Sequence, residues 1–325
     1  MIKNILKYSF VGVFIRSLRG AVEVVQVYLK KRKNFKINHI IELFIIRGIF
    51  GLTFFRNLIK TNFSEDKKEK NLFEKEVGKN EILKLLEAKG CTEIFYVKEN
   101  IKNKILSDLL LHTKENVIIY KNNQEKLVSN SLFNNVDDIN KFVIDNKIHI
   151  IKSSVDLNQC TLLQEIFLND FFKNLARDYL NTKKFTFGAQ FFVSNSNDKL
   201  DINFEKLTVK SAQKYHFDVD FKKSFKFFIY LSDVLSVDYG AHVYIPKTHK
   251  FKMLKNMISA RFEDHDIENS YDQKIVLLGK SGSCFITDNY GIHKGTPVNK
   301  GVRLFGAFEY GRGHFPWLDN SIYIE

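Results

Sequence analysis

Proline is almost missing from this chain: three residues in 325, at 246, 297 and 316, and none before position 246. Cysteine is as scarce. Cys91, Cys160 and Cys284 are far apart and odd in number, so neither a disulfide framework nor a cysteine-rich zinc site is available. Each is expected to be a small buried apolar residue, in keeping with a reducing cytoplasm. No apolar run reaches the roughly 18 residues that a membrane-spanning helix needs; the longest cluster is interrupted by Glu42 and Arg47. The first cluster is not followed by a small-residue cleavage site, so no secretory signal is read there. No repeat of fixed period occurs. Basic residues interleaved with stacking aromatics on a folded domain are lacking too, which argues against nucleic acid as a partner.

What is abundant is apolar and aromatic. The hydrophobic fraction is 44%, with 31 Phe, enough for one good core and a small second unit. The net charge of +13 is unevenly placed. Residues 1–63 carry twelve Lys or Arg against Glu23 and Glu42, which leaves little excess for the rest. Basic clusters there alternate with greasy ones such as Leu43-Phe44-Ile45-Ile46. The expectation is a helical arm, 1–63, lying on a membrane surface without crossing it, at the cytoplasmic face. The competing expectation is a helical cap packed on the rest.

A charged link, 64–70, opens the second unit, 64–325. Helical spacing marks 81–88, 101–111, 137–145 and 162–180, with β-rich runs at 94–97 and 117–120. From Phe185 the texture changes to short strands: 185–194, 215–218, 226–231, 242–245, 275–278, 284–287 and 303–310. Many short strands divided by Gly and polar turns imply a sandwich or barrel. We read an α+β fold whose core, about 185–311, is a double-stranded β-helix of jelly-roll or cupin type, with N-terminal helices packed around it. The polar stretch 251–273 is an insert between strands, expected to act as a substrate lid.

In a strand, residues two apart share a face, so His216 and Asp218 project together. An imidazole arriving from elsewhere, such as His293, would complete a two-histidine, one-carboxylate set suited to non-heme Fe(II). Ten residues on, Arg303 heads a strand-like run and could hold a carboxylate through paired charge-assisted hydrogen bonds. On spacing alone, a His-x-Asp pair is more often an ordinary hydrogen-bonded pair than a metal site. A cupin-like binding module without turnover, or a metal-dependent hydrolase or isomerase, uses the same residues.

The stretch 186–311 resembles the phytanoyl-CoA dioxygenase family of Fe(II)/2-oxoglutarate-dependent oxygenases. The resemblance is carried, in order, by His216-Phe217-Asp218, by Lys226 to Leu231 with Ser232-Asp233-Val234, and by Asp238-Tyr239-Gly240-Ala241. It continues through Tyr244-Ile245-Pro246-Lys247-Thr248-His249-Lys250, Asp288 to Pro297, and Arg303. Pro246-Lys247 stands where the family has Pro-Gly. The resemblance implies that His216, Asp218 and His293 bind iron and that Arg303 anchors 2-oxoglutarate, with Gln190 and Thr296 as further co-substrate contacts. It implies hydroxylation of an unactivated C–H with O2; a carboxylate at 218 leaves no place for the halide of halogenating relatives. The substrate is expected to be a small molecule, a lipid or a lipid-linked saccharide. His249, His242 and His314 are expected in structural roles and Thr287 and Tyr290 in packing, while His39, His112, His149 and His265 are assigned none.

Overall fold

The structure, a computed structural model, describes residues 45–46, 53–65, 72–129, 131–133, 135–196, 203–252, 261–313 and 321–325. A short helix α1 (Thr53–Asn57) leads to α2 (Lys79–Lys89), which Gly90 ends at φ +81°. A Cβ at Gly90 would collide with the Tyr244 hydroxyl and the His249 ring, so both the turn and the close approach require glycine. Then come β1 (Phe95–Tyr96), α3 (Glu99–Leu111), β2 (Thr113–Tyr120), β3 (Glu125–Ser129), α4 (Val136–Asp145) and β4 (Ile148–Val155). The helix expected over 162–180 is two, α5 (Thr161–Phe167) and α6 (Asp170–Leu180). Asn169 divides them: its side chain accepts from the Phe172 N–H at 3.0 Å and caps α6, satisfying a donor that a continuous helix would have bonded itself.

The C-terminal half adds β5 (Phe185–Asn195), α7 (Phe204–Lys210), β6 (Tyr215–His216), β7 (Ser224–Tyr230) and β8 (His242–Tyr244). It continues with β9 (Arg261–Phe262), α8 (Asp264–Glu268), β10 (Ile275–Leu277), β11 (Ser283–Thr287), β12 (His293–Gly295), β13 (Val302–Arg312) and β14 (Ile322–Ile324). Among the described residues two antiparallel sheets result. The larger runs β1-β11-β7-β13-β5-β4-β2-β3, with β14 added to β5; the smaller runs β10-β8-β12-β6-β9. The insert therefore contains β9 and α8, and residues 253–260 of the expected lid lie outside the described residues.

Strand alternation divides the large sheet into two chemistries. Phe225, Phe227 and Ile229 of β7, with Leu304, Phe308 and Tyr310 of β13, join the helices in one aromatic core. Phe167 of α5 stacks on Phe308 with centroids 3.9 Å apart. The intervening residues Lys226, Phe228, Tyr230, Arg303, Phe305 and Ala307 face the other way and line a cavity. His216, His242 and His293 of the small sheet line it from the opposite side. Period two thus puts the stabilising phenylalanines and the chemistry on opposite faces of the same strands.

The described end of the expected arm is packed on the body. Arg56, 3% exposed, pairs with Asp288 at 2.9 Å and donates to the Lys222 carbonyl at 3.0 Å. Lys223 donates to the Ile59 carbonyl and the Thr61 hydroxyl, and the Asn62 N–H to the Asp178 carbonyl. The boundary at 63/64 therefore does not fall at a gap in contacts. Residues 1–44 and 47–52, on which the membrane-surface expectation chiefly rests, lie outside the described residues. Among the described residues no helix is long and apolar enough to cross a membrane.

Candidate metal centre

The small sheet is made of strands two or three residues long, and its register brings the histidines together. His216 of β6 is the cross-strand partner of His293 of β12, so both imidazoles stand on one face, with centroids 4.3 Å apart. The His216 Nδ1 lies 2.9 Å from the Lys214 carbonyl, and the His293 Nδ1 lies 2.9 Å from the Gly291 carbonyl. A carbonyl only accepts, so each Nδ1 carries the proton and each Nε2 presents a lone pair. Asp218 is held by its own N–H, which donates to the Asn289 carbonyl at 2.8 Å. Its Oδ1 is 3.8 Å from the His216 Nε2 and its Oδ2 3.9 Å from the His293 Nε2. One ligand atom from each of the three lies within 4.8 Å of the others.

The electrostatics suit a cation. Burial lowers His216 to about 3, helped by the neighbouring His293, and burial lowers His293 as well. Both rings are therefore neutral and need lose no proton to bind metal. Burial alone would raise the Asp218 carboxyl, but the Lys226 ammonium beside it holds it well below the usual carboxylate range. The Lys226 Nζ donates to Oδ2 at 2.8 Å and the Asn289 amide at 3.2 Å. Both donors use the same oxygen, which leaves Oδ1 for a metal.

Arg303 enters the same cavity from β13. It is 4% exposed. Its guanidinium donates to the Gly240 carbonyl and, at 3.2 Å, to the Ser194 hydroxyl. It also lies over the Phe305 ring at 4.5 Å. Its Nε has no hydrogen-bond partner, and no carboxylate pairs with it among the described residues. Burial without a counter-charge draws its pKa down to about 10. An unpaired buried cation is costly, and an anionic ligand would offset that cost. Gly240 and Gly295 pack against the guanidinium; a Cβ at either would sit 3.0 or 3.1 Å from Nη1.

Of the sequence-derived residues, His216, Asp218, His293, Arg303 and Gln190 all line this cavity of about 250 Å³. Thr296 does not: its hydroxyl donates to the Val237 carbonyl at 2.7 Å. His242, expected to be structural, lines the cavity instead, stacked 5.4 Å from His293 with a buried, unpartnered Nε2. His249, 4% exposed, keeps a structural position away from it, beside Asp288. Thr287 donates to the Asn289 Oδ1 at 2.5 Å and thereby turns the amide nitrogen toward Asp218. Asp288 anchors that loop: Arg56 and the Tyr179 hydroxyl bind its carboxylate, and the Tyr244 hydroxyl donates to its carbonyl. Sequence reasoning missed Lys226, Asn289 and Arg56. Only Lys226 left a local signal, as a lone charge inside Phe225-Lys226-Phe227-Phe228.

No protein-family model and no curated protein matches the sequence. Solved structures resemble it at low identity. One is the epimerase SnoN in complex with Fe3+, alpha ketoglutarate and nogalamycin RO. It is 10% identical over 72% of this chain and 83% of its own, at a TM-score of 0.46. A second is HygX from Streptomyces hygroscopicus with nickel and 2-oxoglutarate bound: 15% identical, 71% of this chain and 86% of that one, TM-score 0.46. A third is the non-heme alpha ketoglutarate dependent carbocyclase SnoK from nogalamycin biosynthesis, 9% identical over 71% and 82%, with a TM-score of 0.41.

Proposed function

We propose that the chain is an Fe(II)- and 2-oxoglutarate-dependent oxygenase on a double-stranded β-helix, hydroxylating an unactivated C–H of a small molecule. One juxtaposition carries this reading. A two-histidine, one-carboxylate set with both Nε2 lone pairs turned inward shares a single cavity with a buried arginine that has no carboxylate partner. The two antiparallel sheets facing each other across that cavity are the arrangement such a barrel needs.

The residues fit the metal and the co-substrate. Three protein ligands leave coordination positions open, and the planar guanidinium of Arg303 suits the distal carboxylate of a dicarboxylate. Bound iron would supply the activation of O2, coupled to decarboxylation of 2-oxoglutarate to succinate. The chain supplies orientation and dryness. Lys226 and Asn289 hold Asp218 in its rotamer and in its ionised form. The Lys214 and Gly291 carbonyls fix the imidazole tautomers. Phe192, Phe228, Phe285 and Phe305 wall the cavity against water. The lipid or lipid-linked saccharide expectation depended on residues 1–63, most of which lie outside the described residues.

The test is anaerobic addition of Fe(II) and 2-oxoglutarate to the full-length protein, followed by admission of air. A visible charge-transfer band and slow succinate release are expected. A protein that binds metal but neither develops the band nor releases succinate overturns the reading in favour of a binding module or a hydrolase.

A further inference from the structure

The proposed co-substrate has one strong anchor, and the chemistry of its distal carboxylate leaves room for a second. A carboxylate offers about four acceptor positions. The guanidinium that would meet it already gives one N–H to the Gly240 carbonyl and another to the Ser194 hydroxyl. The strand that carries Arg303 brings no further donor, since the next residues on its cavity face are Phe305 and Ala307. A second donor has to come from the facing sheet.

Register brings one there. In the ladder between β8 and β12, His242 stands opposite Gly295, and His293 lies two residues before Gly295 on the same strand. His242, Gly295 and the candidate ligand His293 therefore share a face. Arg303 meets that face, because its guanidinium packs on Gly295, where a Cβ would sit 3.1 Å from Nη1. His242 is roughly 5 Å across the ladder from this glycine. On its other side its ring lies 5.4 Å from that of His293, 15° from parallel. A molecule reaching from the metal set to Arg303 passes His242 on the way.

The side chain is poorly chosen for filling space. It is 8% exposed and packs against Phe228 and Phe285 of the large sheet, 5.1 Å from each ring, yet its Nε2 has no hydrogen-bond partner. A leucine or phenylalanine would occupy the same volume without stranding a polar atom. Neighbouring polar groups are engaged elsewhere. The Tyr230 hydroxyl accepts the His242 backbone N–H and donates to the Leu277 carbonyl, and Lys226 and Asn289 are turned to Asp218.

We propose that His242 is a second anchor of the co-substrate, donating a ring N–H to the carboxylate that Arg303 holds. It takes the part expected of Thr296, whose hydroxyl is turned to the Val237 carbonyl. An imidazole carries at least one ring N–H in either charge state, so it can serve a carboxylate without adding a second buried cation. Together the two side chains select a 2-oxo acid with a distal carboxylate over one without. This assignment rests on the oxygenase reading.

The experiment measures binding of 2-oxoglutarate and of pyruvate to the full-length protein loaded with Mn(II), by calorimetry. Pyruvate keeps the 2-oxo acid head and lacks the distal carboxylate. His242→Phe keeps an aromatic ring in the stack and removes the donor. It should weaken 2-oxoglutarate by about tenfold or more and leave Mn(II) and pyruvate binding as in the parent. His242→Asn and His242→Gln return an amide N–H near one ring nitrogen or the other, and the better of the two should come within about threefold of the parent. Arg303→Met should weaken 2-oxoglutarate with the same selectivity. Unchanged 2-oxoglutarate affinity in His242→Phe would overturn the proposal. So would an equal loss for pyruvate, the mark of a disturbed metal site, or amide variants that both bind as poorly as the phenylalanine one. A parent protein that binds Mn(II) but not 2-oxoglutarate would sink the oxygenase reading itself, and this anchor with it.

Discussion

The two sheets divide the work unequally. The large one has long strands, a phenylalanine core on one face and charged residues on the other. The small one has strands of two or three residues, and two of these carry the candidate ligand histidines His216 and His293. Long ladders can hold an unpaired arginine in place because packing on the reverse face fixes the strand. Short ladders place ligands by register alone, and their position is secured from outside by the Asp288–Asn289 loop. Stability and chemistry should therefore separate by sheet.

The sharpest break is at the ligands. His216→Ala or Asp218→Ala should abolish metal binding and succinate release while the metal-free protein melts close to the parent, checked by metal titration and calorimetry. Phe308→Ala on the large sheet should do the reverse. It removes a ring stacked on Phe167 and should cost about 3–5 kcal/mol in denaturant unfolding, with metal affinity of the folded fraction retained. Arg56→Met tests the outside support. It leaves the buried Asp288 carboxylate without its cation, costing about 3 kcal/mol, and by loosening Asn289 it should also weaken metal binding.

Acidification should strike both regions together. Burial, reinforced by Lys121 at His149, holds His149 and His249 down to about 4 each, whereas unfolded histidine protonates near 6.5. Between those values the unfolded chain binds more protons, so stability falls as pH drops below about 6.5. Each histidine costs up to about 1.4 kcal/mol per pH unit, measurable as a falling melting temperature of the metal-free protein. The smallest effect is expected from Arg303→Lys. Charge is kept and the planar fork lost, so 2-oxoglutarate affinity should fall roughly tenfold, about 1.4 kcal/mol, with metal affinity unaltered by titration.

Much of the cavity was legible because its residues obey local rules. His216 and Asp218 lie two apart, and Arg303 and Gln190 belong to strands whose alternation is plain. β4 was missed because it is internal to the sheet: Ile148, His149, Ile150 and Ile151 are all buried, which erases the period of two. That omission hid Lys152, which lines the cavity. Helix α7 was overlooked, and with it the Lys210 carbonyl that fixes Lys152. Arg56 was read as one charge of a basic arm lying on a membrane surface, and nothing near it in sequence announces a carboxylate 232 positions away. The break between α5 and α6 was available in Asn169, whose capping power was passed over within an otherwise apolar period.

The place of β13 in the large sheet has a consequence for how the protein is made. β13 lies between β7 and β5 and bonds to both, yet it leaves the ribosome after either of them. Until it arrives, both neighbours present bare, phenylalanine-rich edges that can pair with other chains. Assembly by such distant contacts is slow, and a growing chain of this kind is exposed to aggregation throughout the delay. Arg303 sits on this late strand, and the candidate ligand His293 precedes it only narrowly. In a nascent chain the three candidate ligands therefore emerge before the strand that walls the cavity and carries its buried arginine, so the site is assembled last at the end opposite the histidines.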